Sequence, residues 1–176
     1  MAVEPEKSAE FTLKLRIPAW CKQARLSVNG KAVRVLDDKG YACLKRVWKP
    51  GDRVELNLAM PVARVYANPK VRQNCGRVAL QRGPIVYCLE GEDHGESLNA
   101  LALPQEAEFK TGFEDDLLGG VVTLSAPALK LAETGWGGEL YRTKPAATGK
   151  AKIKAVPYCT WDNRAPGEMI VWLREV

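Results

Sequence analysis

No run in this sequence repeats its apolar residues at helical spacing for long enough to form a stable amphipathic helix, which argues against an all-α or α/β fold. No stretch approaches the roughly 18 apolar residues of a membrane span, so no membrane partner is expected. The polar segment Met1–Glu10 lacks the apolar centre of a signal peptide, and a cytoplasmic location is the default expectation. Histidine occurs once, as His94, and none of the five cysteines (Cys21, Cys43, Cys75, Cys88, Cys159) is spaced as CxxC. An odd, scattered set is neither a disulfide framework nor a zinc ribbon. Such thiols read as buried, reduced small hydrophobes, and neither a metal site nor a cofactor is expected. Charge of one sign is not concentrated anywhere. The net charge of +5 comes from 26 basic residues interleaved with 21 acidic ones, with no basic arm, so nucleic acid is not an expected partner.

What is present is alternation. Hydrophobic residues make up 46% and charged residues 27%, enough apolar surface for a packed core. Phe11, Leu13, Leu15 and Ile17 alternate with Thr12, Lys14 and Arg16, the period of a strand with one buried face. Asn29-Gly30 between Ala24–Val28 and Ala32–Leu36 is a strong hairpin signal, because both residues tolerate positive φ. Asp37–Gly40 and Lys49–Asp52 are further turns, flanking Tyr41–Trp48 and the alternating Val54, Leu56, Leu58 and Met60. Pro61–Asn74 reads as a connection. Beyond it, strand-like stretches run over Arg77–Gln81, Ile85–Leu89, Val121–Leu124, Lys150–Val156 and Met169–Leu173. Ala126–Ala132 reads as extended, because Pro127 biases its predecessor away from helix. The expected fold is all-β, with two small antiparallel β-sandwich lobes of jelly-roll or immunoglobulin-like type in tandem. Residues 1–10 form a flexible tail, 11–66 a first lobe whose opening strands are missing, and 67–176 the second domain.

Several peptides in order carry a resemblance. They are Leu15–Trp20 followed by Val28–Gly30, then Trp48–Asp52, Leu58–Pro61, Gly76–Glu90, and Val156–Arg164 running into Gly167–Trp172. Each is short, but the ordered set, covering Phe11 to Trp172, resembles the C-terminal half of glycoside hydrolase family 127, whose members include β-L-arabinofuranosidases. The resemblance implies two β-sandwich domains following an (α/α)6 barrel that carries catalysis through a cysteine nucleophile and a zinc held by cysteines and a glutamate. The family's Glu-x-Cys and Cys-Cys motifs have no counterpart here. The residues two before the five cysteines are Ala19, Tyr41, Gln73, Val86 and Pro157. No catalytic or metal-binding residue therefore carries over. The expectation is a non-catalytic accessory region that packs on the helical-barrel catalytic domain, with a carbohydrate-binding module as the alternative and an independent enzyme a distant third.

The remaining candidates each have a plainer reading. Cys88 and Cys159 could be thiolate ligands or nucleophiles, but each lies in a strand pattern with no second ligand at a useful spacing. His94, among Glu90, Glu92 and Asp93, reads as a solvated loop rather than a general acid or base. Glu114-Asp115-Asp116 could supply half of a glycosidase carboxylate pair, yet reads better as a charged turn. Arg82-Gly83-Pro84 reads as a bend between core strands. Trp161, Asn163 and Arg164 are the candidate sugar contacts, an aromatic platform beside amide and guanidinium donors. The same residues suit a turn capping the core. The family resemblance makes a plant-type carbohydrate a candidate ligand. Trp20, Trp48, Trp136 and Trp172 read as core or interface aromatics. An apolar-aromatic patch is expected on the first lobe, and with it self-association.

Overall fold

A computed structural model describes residues 1–34 and 37–176, with 50% of the chain in strand and 8% in helix. The chain is all-β. It divides into two compact units, Met1–Pro61 and Val62–Val176.

The first unit contains β1 (Ala2–Val3), β2 (Ala9–Arg16), β3 (Ala24–Val28), β4 (Lys31–Val33), β5 (Asp37–Asp38), β6 (Tyr41–Trp48) and β7 (Asp52–Leu58). One sheet runs β1-β7-β3-β4 and the other β2-β6-β5. Alternation sets the core. Leu26 and Val28, Val54, and Ala42, Leu44 and Trp48 are buried from the two sheets, with Leu13 and Leu15 packed against them. Trp48 is fully buried, and its indole Nε1 donates to the Phe11 carbonyl at 3.1 Å. The hairpin at Asn29-Gly30 has φ of 50° and 74°, the mirror-image turn the sequence calls for. Val35 and Leu36, the far end of the expected Ala32–Leu36 strand, lie outside the described residues.

Two expectations about this region need correction. The 1–10 segment is not a loose tail, since Ala2–Val3 pairs with Asp52–Arg53 and β2 begins at Ala9. Nor do residues 61–74 simply connect, because Val62–Tyr66 pairs along its length with the following strand. The polar spacing of Arg64 within that strand had hidden it.

The second unit contains β8 (Val62–Tyr66), β9 (Arg77–Arg82), β10 (Ile85–Glu90), the one-turn α1 (Gly91–His94), β11 (Leu101–Leu103), β12 (Lys110–Glu114), β13 (Val121–Leu131), β14 (Thr148–Pro157), β15 (Met169–Ile170) and β16 (Trp172–Glu175). The expected pair of stacked sheets gives way here to closure. Strands β10, β14, β13, β11, β16 and β9 are hydrogen-bonded in sequence, and β9 pairs back onto β10. The hairpin that closes this ring turns at Gly83 (φ 59°) and Pro84. One step of the ring, β11 to β16, is parallel.

Alternate residues of every ring strand point inward. They are Val78 and Leu80, Tyr87 and Leu89, Leu101 and Leu103, Leu124, Ala126 and Ala128, Ile153 and Ala155, and Leu173. Pro127 sits mid-strand in β13 without penalty. It falls between the stretch paired to β12, which ends at Ser125, and the stretch paired to β11, which begins at Leu129. On that side no ladder partner asks for its missing N–H.

Candidate functional site

The richest polar constellation lies where α1 meets the loop after β14. Glu90, the last residue of β10, is buried, and α1 follows it directly. Gly91 is what lets the loop come this close. A Cβ there would stand 3.3 Å from the Glu168 backbone nitrogen, and the Gly91 N–H donates to the Glu168 carbonyl at 2.8 Å.

Arg164 is the hub. Its Nε donates to Glu90 Oε2 at 2.7 Å, and its Nη2 contacts both that oxygen and Asp93 Oδ2, the latter at 2.6 Å. The Asp162 backbone N–H donates to the other Glu90 oxygen at 3.3 Å. Lys154 extends the network, lying 3.6 Å from Asp93 and donating to Glu114 Oε2 at 2.8 Å. Glu114 Oε1 accepts from the Thr123 hydroxyl at 2.8 Å.

These pairings set the charge states. Burial works to raise the Asp93 pKa, but the Arg164 hydrogen bond and the nearby cations outweigh it and hold the carboxyl below its ordinary value. The Lys154 hydrogen bond, then that of Thr123, lowers Glu114 as well. Arg164 is raised further above its ordinary range, chiefly by its bond to Asp93.

His94 is not a solvated loop residue. The Lys154 backbone N–H donates to Nε2 at 3.0 Å, so Nε2 carries the lone pair. Nδ1 then holds the proton and donates it to the Glu90 carbonyl at 2.9 Å. Both ring nitrogens are engaged, and the imidazole stitches α1 to β14.

The sugar candidates separate in role. Arg164 is brought to the carboxylates of Glu90 and Asp93. Asn163 spends its Nδ2 on the Thr160 and Trp161 carbonyls, each at 3.1 Å. Trp161 remains on the surface. There it stacks with Tyr158 at a centroid distance of 6.0 Å and an interplanar angle of 17°. The sequence gives no reason to single out Tyr158, which stands there only as a residue following Pro157.

The thiols do not assemble. Cys88 is buried, its Sγ 3.8 Å from the Val156 carbonyl, and burial followed by the Glu90 charge pushes its pKa up to about 12. Cys21 is buried too, but Cys75 and Cys159 are exposed, contrary to the expectation of buried thiols. Among the described residues no three His, Cys, Asp or Glu side chains converge as metal ligands. The described donors therefore do not fit the zinc that the family resemblance implies for the catalytic barrel.

With this geometry in place, comparison with known proteins is decisive. Residues 1–60 match the family described as "Beta-L-arabinofuranosidase, GH127 middle domain", and residues 62–174 match "Glycoside hydrolase family 127 C-terminal domain". The chain belongs to glycoside hydrolase family 127. A non-reducing end beta-L-arabinofuranosidase of Bifidobacterium longum subsp. longum is 41% identical over 169 residues, covering 91% of this chain and 25% of the relative. The crystal structure of a GH127 beta-L-arabinofuranosidase from Geobacillus stearothermophilus superposes with a TM-score of 0.94 at 50% identity, over 99% of this chain and 28% of that one. A solved GH127 beta-arabinofuranosidase gives 0.86 at 33% identity, over 96% and 28%. The chain therefore spans about a quarter of the length of these relatives.

Proposed function

We propose that this chain is the non-catalytic accessory region of a family 127 glycoside hydrolase and packs against its helical-barrel catalytic domain. We read the first unit as a two-sheet sandwich, since residues of both its sheets share one core. The observation that carries the proposal is the internal consumption of reactive groups. In the richest ionisable cluster Glu90, Asp93, Glu114, Lys154 and Arg164 pair with one another, His94 is bonded at both nitrogens, and the Cys88 thiol is held neutral. A hydrolase needs a nucleophile beside a base or a poised carboxylate pair, and these groups are instead spent on holding the fold. An exposed tip supports packing on another domain. Leu140 and Tyr141, in the connection between β13 and β14, are 84% and 90% exposed. These two, on the second unit, are more exposed than any apolar side chain among the described residues of the first, where the patch was expected.

The test has two parts. The purified chain should show no turnover of an aryl β-L-arabinofuranoside, and turnover that vanishes in Cys88→Ser would overturn the reading. A separately produced catalytic region of a family member should bind the chain in sedimentation velocity, more weakly when Leu140→Ser and Tyr141→Ser are combined. No association would equally overturn it. A second reading, a carbohydrate-binding module, is favoured by a different observation, the surface stack of Tyr158 and Trp161.

A further inference from the structure

We propose that the loop from Tyr158 to Glu168 is a binding surface for a neutral sugar, with the Tyr158–Trp161 pair receiving the apolar face of the ring. The inference rests on the second reading above and gives it an anatomy different from the one the sequence suggested. Tyr158 is 45% exposed and Trp161 39% exposed, and they present two nearly parallel rings on one surface. A sugar ring carries C–H groups on its faces and hydroxyls around its rim. It therefore matches a surface whose centre is aromatic and whose edge is polar.

The edge is present. Asp162 and Asn163 are exposed beside the rings. Farther along the same loop, Gly167 and Glu168 line a separate open cleft of about 500 Å³ together with Glu92, Glu96 and Ser97, and neither ring is among its lining residues. That volume falls within the range of small-ligand sites, roughly 300–1,000 Å³. Asp162 presents an exposed carboxylate next to Trp161, and Glu92 and Glu96 present theirs at the cleft, where each can accept hydrogen bonds from sugar hydroxyls. The same negative charge disfavours an acidic sugar, which is why the proposal specifies a neutral one.

The loop is also built to stay in place. Asp162 adopts a left-handed φ of 64°, a conformation aspartate tolerates better than most residues, and Glu90 helps to hold it there. This carboxylate accepts the Asp162 N–H and binds Arg164, while Thr160 Oγ1 donates to the Pro157 carbonyl at 2.7 Å and the Trp161 N–H to the Tyr158 carbonyl at 3.1 Å. Arg164 and Glu90 are thus positioning residues. They hold the aromatic pair and do not themselves face the ligand. Rings fixed beforehand lose little conformational freedom on binding, which is the condition under which a small ligand can be retained.

The experiment titrates the 176-residue chain with L-arabinose, with a β-L-arabinofuranosyl disaccharide and with galacturonic acid, following tryptophan fluorescence and amide NMR shifts. The expected result is a saturable response to a neutral sugar, with shifts clustered at 158–168 and 91–97. Trp161→Ala and Tyr158→Ala should each weaken it by at least about tenfold, Trp161→Phe less. Glu90→Gln should weaken it while broadening the loop resonances. No saturable response of the wild-type chain to either neutral sugar overturns the proposal, and so does unchanged affinity in Trp161→Ala. Tighter binding of galacturonic acid overturns the neutral assignment. The sedimentation assay with the catalytic region runs in parallel. If Trp161→Ala abolishes that association and no sugar binds, the aromatic pair is a protein contact. The sugar site then fails while the accessory reading stands.

Discussion

The two units solve the same problem, burying one face of a pleated sheet, in different ways. In the first, two sheets of four and three strands cover a core centred on Trp48, and each sheet ends in strands paired on one side only. In the second, six strands close on themselves around alternate side chains from every strand, so the ring has no edge of its own. Closure leaves the outer surface of the ring free to carry polar groups without endangering the core. That is where the difference in chemistry arises. On β14, Ala151, Ile153 and Ala155 face inward while Lys154 reaches Asp93 and Glu114. Among its described residues the first unit has a comparable polar device at Asp52. Buried Asp52 accepts from Asn29 Nδ2 at 2.8 Å and from the Lys49 N–H at 3.0 Å, tying two turns together.

The sharpest way to break the comparison is to empty the first core. Trp48→Ala should cost about 3–5 kcal/mol, because a large fully buried ring is removed and its cavity cannot close. Hydrogen exchange read by mass spectrometry should show residues 1–61 losing protection while 62–176 keep it. Simultaneous loss in both units would show that the two compact units unfold together.

Next in size is Arg164→Met. It leaves the Glu90 and Asp93 carboxylates without their cation, and breaking such a pair costs about 3 kcal/mol. Protection should fall in the second unit alone, first at 90–98 and 158–168. The wild-type Asp93 carboxyl is held below its ordinary pKa, so its stabilisation is present above the unfolded value, near 3.9. It is lost as pH falls through the lower folded value. Acid should therefore narrow the gap between wild type and variant. A gap that is constant with pH would show that Arg164 acts through packing alone.

The smallest effect is expected from Asp52→Asn. The Asn29 hydrogen bond, then that of the Lys49 amide, lowers the Asp52 pKa, so its contribution follows the same sign and disappears under acid. Acid titration of the variant, with exchange read at 1–61, should show less pH dependence below about pH 4 than wild type. An identical acid profile would mean that Asp52 serves only as a turn former.

Local signals in the sequence were legible where the physics is local. The alternation of Leu13, Leu15 and Ile17, the Asn29-Gly30 hairpin and the Gly83 bend all depend on neighbours in the chain, and each appears in the structure where the pattern placed it. Strand Val62–Tyr66 was not legible. Its Arg64 points at Glu175, 2.7 Å away and more than a hundred residues later, so its alternation carries a charge where an apolar residue would announce a strand. Long β13 read as two fragments because Pro127 punctuates it, and only the gap between β12 and β11 shows why proline is tolerated there.

The candidate site divides along the same line. Trp161 was visible as an aromatic in a polar turn, but the roles of Arg164 and His94 depended on partners brought in from β10, α1 and β14. By itself the sequence determined most of the strand-forming segments, their turns and, through an ordered set of short peptides, the family. The tertiary structure decided that six strands close into a ring, that Arg164 is spent on Glu90 and Asp93, and that Tyr158 joins Trp161 on the surface. The physical reason is the range of the forces. Side-chain alternation and turn chemistry act over a few residues and are written in order along the chain. Ring closure and charge pairing join residues up to about a hundred positions apart, for which no local pattern needs to exist.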